Sequence, residues 1–169
     1  GAKQSSEKLN KTLKKITTDL NSHGIKNWFL GYGTLLGIVR NNSCIEGDDD
    51  IDIVIDINES KKLHKLIKKN NYNYDKIKNK VMKYDNFTRI ILGNDYTPID
   101  FYIAKNNNCN YHETWEKVVW SDVCPIVKKD WNNVILNLPN NYKTKLKNRY
   151  GDDLRTPRNW KGPKNNKKL

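Results

Sequence analysis

Residues 31–56 read GYGTLLGIVRNNSCIEGDDDIDIVID, and this stretch decides the fold. Gly31 and Gly33 flank Tyr32 in a turn. Thr34 is placed to cap a helix running through Leu35, Leu36, Ile38 and Val39 to Arg40. Asn41-Asn42-Ser43 ends that helix. The spacing then predicts a strand over 50–57. Successive strand side chains point to opposite faces, so Ile51, Ile53, Ile55 and Ile57 form an apolar face while Asp50 and Asp52 share the other. Two carboxylates that close repel each other, and their pKa values rise unless a cation lies between them. A hard cation, Mg²⁺ or Mn²⁺, resolves the conflict because it takes carboxylate oxygens. Asp48 joins the pair if the strand begins early. Asp49 has the opposite parity and is expected at solvent or in a turn. Asp56 has the right parity but lies about 20 Å from Asp50 at the usual strand rise.

Further along, Pro98 to Ala104 reads PIDFYIA, an apolar strand holding one acid, Asp100. A solitary carboxylate there is expensive without a partner. If this strand lies beside the first, Asp100 completes a cage of three acids, enough for two ions about 3.5–4 Å apart. Gly33 and Thr34 supply the complementary feature, because free N–H groups and the helix dipole at such a junction favour a phosphate. Arg40 and Arg89 are candidates to add positive charge, and each reads equally as a solvated basic residue. Rival motifs fail on spacing. Gly31-x-Gly33-x-x-x-Gly37 is not a dinucleotide-binding fingerprint. Asp48-x-Asp50-x-Asp52 begins like a calcium loop but has Ile53 where that loop needs Gly.

The remaining elements are support. Leu9, Leu13, Ile16 and Leu20 predict a helix over 5–22, stopped at His23-Gly24. A short strand over 25–32, a helix over 59–70 and strands over 87–92 and 98–104 follow. The stretch 76–83 is ambiguous, 105–110 reads as a loop, and 112–120 as a short helix or loop. A strand or hairpin arm over 131–138 and a helix over 142–150 close the order. The expectation is one α/β domain over 1–160, a small mixed β-sheet flanked by helices, with a loose start at 1–4 and a disordered basic tail at 161–169.

Lys plus Arg number 31 against 19 Asp plus Glu, a formal charge of +12, which favours anionic partners. Heavy use of Lys, Asn, Ile and Tyr together makes compositional bias an equal source of that charge. Nucleic acid stays open as a partner, but the aromatics show no stacking pattern. Cys44, Cys109 and Cys124 are odd in number and contain no CxxC pair, so neither a zinc site nor a disulfide is expected. That favours a reducing, cytoplasmic setting, with a secretory lumen as the alternative. No apolar run approaches the roughly 20 residues of a membrane span. Gly1-Ala2 reads as a cloning remnant, which leaves an upstream anchor open.

Gly33 to Arg40, Gly-Thr-Leu-Leu-Gly-x-x-Arg, followed by Asp48 to Ile53, Asp-Asp-Asp-Ile-Asp-Ile, resembles the LicD/fukutin family. The segment from Leu138-Pro139 through Tyr142, Leu146 and Arg149-Tyr150-Gly151-Asp152 to Pro157 is similar to that family's closing segment. The resemblance spans residues 28–157 and implies the nucleotidyltransferase fold shared with DNA polymerase β. It maps the metal-binding and catalytic acids to Asp50, Asp52 and Asp100, and the phosphate turn to Gly33 and Thr34. It implies transfer of phosphocholine, a polyol phosphate or a sugar phosphate from a cytidine-diphosphate-type donor to a glycan hydroxyl. Glu46-Gly47 stands where the family commonly carries an aromatic, and no counterpart of the animal members' zinc-binding insertion is found. Two other readings are weighed: a nucleotidyltransferase acting on RNA or a small nucleotide, and a non-catalytic relative that binds glycan or a partner.

Overall fold

The computed structural model describes residues 1–74, 87–155 and 166–169. Leu9, Leu13, Ile16 and Leu20 recur on one side of helix α1 (Ser6–Ser22) and are fully buried. Ser5 caps it by accepting the Lys8 N–H at 3.1 Å. Glu46 caps the same end from a distance, accepting from the Ser6 N–H and hydroxyl. The residue that stands in place of the family's aromatic is thus turned away to hold a helix.

Strand β1 (Trp28–Leu30) leads through Gly31 into helix α2 (Tyr32–Asn41). The helix begins two residues before the expected cap. Gly31 occupies the cap position, and Tyr32 takes a left-handed φ of +50°. A side chain at Gly31 would place its Cβ 3.0 Å from Val54 Cγ2, so only glycine lets the turn lie this close to the sheet. Strand β2 (Ile51–Asp56) is buried along its whole length. A 3₁₀ turn (Ile57–Glu59) and helix α3 (Ser60–Lys69) follow, with Leu63, Leu66 and Ile67 inward and the lysines outward.

The main sheet orders β1-β2-β5-β4-β3, with β3 at Asn73–Tyr74, β4 at Phe87–Ile91 and β5 at Ile99–Asn107. Among the described strands β2 and β5 pair in parallel, and their register sets Asp52 opposite Asp100. The far half of β5 continues into β6 (Asn110–Glu113) and β7 (Val118–Trp120), a meander where a helix or loop was expected over 112–120. Tyr111 and Glu113 face inward while His112 between them is exposed, a period of two that no helix gives. A separate hairpin, β8 (Val127–Trp131) and β9 (Val134–Leu138), turns at Asn132-Asn133, both at positive φ, and β9 packs on β1 and α1. Helix α4 (Tyr142–Tyr150) is the last helix among the described residues. The ambiguous stretch 76–83 lies outside the described residues.

One expectation is corrected. Cys109 and Cys124 form a disulfide, with Cα atoms 5.6 Å apart. The meander folds Val123 back so that its N–H donates to the Cys109 carbonyl, a proximity no spacing rule reports. Among residues 166–169, the Lys167 carbonyl accepts from the Val119 N–H, the Leu169 N–H donates to the Val119 carbonyl, and Leu169 is buried. Near the start, the Gln4 N–H donates to the Asp48 carbonyl and its own carbonyl accepts from the Gly47 N–H. The disulfide spans 15 residues. Replacing both Cys109 and Cys124 by Ser is expected to lower unfolding free energy by about 3 kcal/mol, read from urea melts. An unchanged midpoint would show that the bond adds nothing.

Candidate active site

The glycine turn is stitched to the acid strand at one residue. Gly31 donates its N–H to the Asp52 carbonyl at 3.1 Å, and the Asp52 N–H donates to Thr34 Oγ1 at 2.9 Å. Thr34 is therefore buried and holds turn to strand, a different task from the helix cap expected of it. Gly33 does line the cavity beside it. A Cβ on Gly33 would come 2.7 Å from Asp48 Oδ2, so glycine makes room for that carboxylate at the start of α2.

Asp50, Asp52 and Asp100 offer oxygens within 4.8 Å of one another. They are 8%, 7% and 4% exposed, so water does little to screen them. Burial first, then Asp52 and Asp100, pushes the Asp50 carboxyl well above the usual range. Burial first, then Asp100 and Asp48, does the same to Asp52. Asp48 is raised too, mainly by burial, and it forms a second close group with Asp49 and Asp50. Asp56 is elsewhere, accepting from the Asn58 N–H and the Asn106 amide.

Arg89 sits opposite Asp100 on β4. Its Nε donates to Asp100 Oδ1 at 2.5 Å, and one terminal nitrogen reaches Asp100 Oδ2 and Asp50 Oδ2, both at 2.9 Å. The expected phosphate ligand is thus a clamp on the acids, offsetting part of their repulsion. Arg40 is half-buried in the last turn of α2 and is not among the residues lining the cavity. Tyr102, two residues after Asp100 and so on the same face, donates its hydroxyl to Asp52 Oδ1 at 3.2 Å.

The cavity holds about 440 Å³ and is lined by Tyr32, Gly33, Asp48, Asp50, Asp52 and Tyr102, with Glu116, Arg149 and Tyr150 among the rest. Hard oxygen donors, three of them converging and buried with too few cations nearby, suit Mg²⁺ or Mn²⁺. Among the described residues no helix is long and apolar enough to cross a membrane.

The sequence model of the family described as LicD/FKTN/FKRP, nucleotidyltransferase domain, matches residues 25–156. The chain belongs to the LicD/FKTN/FKRP family. No curated protein sequence matches it. Among solved structures it is similar to the antibiotic-resistance factor ANT(2'')-Ia in solution, with TM-score 0.58 and 15% identity over 79% of this chain and 66% of that one. It is similar to the lincosamide antibiotic adenylyltransferase LnuA bound to lincomycin, with TM-score 0.55 and 15% identity over 80% of this chain and 81% of that one. ANT(2'')-Ia in complex with adenylyl-2''-tobramycin gives TM-score 0.55 and 15% identity over 79% and 74%. The fold is the nucleotidyltransferase fold, and family and fold together make this a nucleotide-related transferase.

Lys3, Tyr32, Tyr102, Glu116, Arg149 and Tyr150, all lining this LicD-family site, escaped the sequence reading. Parity with Asp100 was a usable signal for Tyr102. Arg149 and Tyr150 stood in the closing segment of the family, with no spacing rule to bring them to the acids.

Because the folded pKa values of Asp50 and Asp52 are raised, the folded protein holds protons that the unfolded chain has lost above about pH 4. Stability therefore falls as pH rises through that window, and a bound divalent cation opposes the fall. Mn²⁺ is expected to raise the melting temperature more at about pH 8 than at about pH 6, read by calorimetry. Equal shifts at both would place the ion away from these carboxylates.

Proposed function

We propose that this LicD-family domain is a divalent-cation-dependent phosphotransferase that moves a phospho-substituent from a cytidine-diphosphate-type donor to a glycan hydroxyl. The substituent would be phosphocholine, a polyol phosphate or a sugar phosphate. The observation behind this reading is the convergence of Asp50, Asp52 and Asp100 within 4.8 Å beside the Gly33 turn, in a chain of this family. Asp50, Asp52 and Asp100, with Asp48 adjacent, would hold Mg²⁺ or Mn²⁺, as one ion or two. When bound, the cation neutralises charge on the donor phosphates.

This chain's own residues do the rest. Gly33, at the start of α2, leaves the backbone open to a phosphate, where the helix dipole favours negative charge. Thr34 fixes that turn against Asp52. Arg89 orients both oxygens of Asp100. The acceptor hydroxyl attacks phosphorus, a new O–P bond forms, the bond to the leaving nucleotide breaks, and the hydroxyl proton passes to a carboxylate, in our reading Asp100. The disulfide fits an oxidising lumen better than the cytoplasm.

The structural neighbours favour a second reading. LnuA is a lincosamide antibiotic adenylyltransferase, and ANT(2'')-Ia was solved with an adenylylated tobramycin, so transfer of a nucleotidyl group from a nucleoside triphosphate is the rival. A donor panel with Mg²⁺ separates the two. CMP released from CDP-linked donors is the expected result, whereas pyrophosphate released from triphosphates would establish the rival. Asp50→Asn and Asp52→Asn are each expected to lower turnover by a factor on the order of 10² to 10³ with the fold kept, as circular dichroism would show. Near-normal turnover in either variant would end the assignment.

A further inference from the structure

We propose that Arg149 is the ligand for the phosphates of the nucleotide donor, presented to them by a Tyr32–Glu113 pair. The inference rests on the transferase reading above and names a residue that reading did not use. Among the described residues lining the cavity, the basic side chains are Lys3 and Arg149. The other arginine of the site, Arg89, is bonded to Asp50 and Asp100. No described carboxylate forms an ion pair with Arg149. Its Nε is buried with no hydrogen-bond partner, a terminal nitrogen makes a long bond, 3.4 Å, to the Asn166 carbonyl, and the guanidinium also meets the Tyr150 side chain.

What holds Arg149 is an aromatic face. Its guanidinium carbon lies 4.7 Å from the centre of the Tyr32 ring. A guanidinium on a ring keeps its charge and its fork of in-plane N–H donors, whereas one paired with a carboxylate gives up both. The platform itself is fixed. Tyr32 donates its hydroxyl to Glu113 Oε1 at 2.6 Å, and its ring meets Trp120 edge-on and Tyr102 at a tilt. Glu113 is 2% exposed and also accepts from the N–H groups of Glu116 and Val118, so it is locked in the meander.

Tyr32 is also the first residue of α2, a ten-residue helix, and Gly33 at its start lines the same cavity as Arg149. A helix N-terminus, a forked guanidinium and the acids thus line one cavity. A diphosphate fits that polarity: a cation on the carboxylates takes one part of its charge, and Arg149 takes the other. Arg149 contacts substrate in this scheme, while Tyr32 and Glu113 are positioning residues.

Titration of CDP into the full chain with saturating Mn²⁺ tests this, with Mn²⁺ alone titrated in parallel. Arg149→Ala is expected to weaken CDP binding by about tenfold or more, with Mn²⁺ affinity unchanged. The loss should be larger for CDP than for cytidine, since only the phosphates meet the guanidinium. Arg149→Lys should recover part of it, as a point charge without the fork. Glu113→Gln should weaken CDP less than Arg149→Ala does. Should Arg149→Ala not fold, Arg149→Gln, which keeps length and polarity, takes its place with the same expectation. CDP binding equal to wild type in a folded variant with intact Mn²⁺ binding overturns the role of Arg149 and leaves the transferase reading standing. A wild-type chain that binds Mn²⁺ but no CDP overturns both.

Discussion

Three carboxylates buried within reach of one another are the constraint to which the rest of the structure answers. Asp50, Asp52 and Asp100 share one small volume from which water is largely excluded. In such surroundings like charges interact far more strongly than in solvent. The fold meets that cost with neighbours rather than distance. Arg89 bridges Asp100 and Asp50, and Tyr102 donates to Asp52. The backbone of Asp52 is held on both sides, by Gly31 and by Thr34, so the strand cannot relax away from the cluster. Such a cluster offers its oxygens to a cation.

The parallel pairing of β2 with β5 creates the cluster. In a parallel ladder, equal register keeps Asp52 and Asp100 on the same face. A slip by one residue would send Asp100 to the apolar side and place Phe101 among the acids. The run of isoleucines on β2 and the alternation in β5 oppose that slip, because each would expose or bury the wrong set. The hydrophobic pattern thus fixes the site's geometry through register.

Another part of the cavity wall is built by elements far along the chain. The β6–β7 meander delivers Glu113 and Trp120 to Tyr32, and α4 lays Arg149 on the resulting platform. The disulfide between Cys109 and Cys124 ties the start of that meander to the segment that leaves it. The staple closes the hairpin that carries Glu113 to Tyr32.

Local pattern determined a good deal. The apolar stripe of α1, the alternating Asp and Ile of β2, and the lone acid of β5 each state which face they present, because helix and strand periods are short-range facts. The family motif from Gly33 to Ile53 follows from the same residues. Local pattern also determined that Asp50 and Asp52 would share a face. It had no access to what long-range contact decides. The swap of Arg89 from phosphate ligand to acid clamp depends on β4 lying beside β5. The use of Thr34 as a tie depends on β2 passing under the turn. The meander over 110–120, the Cys109–Cys124 bond and the arrival of Arg149 over Tyr32 likewise join residues whose separation in sequence carries no period. Periodicity tells a side chain which way to point, and only the packed chain tells it what it meets.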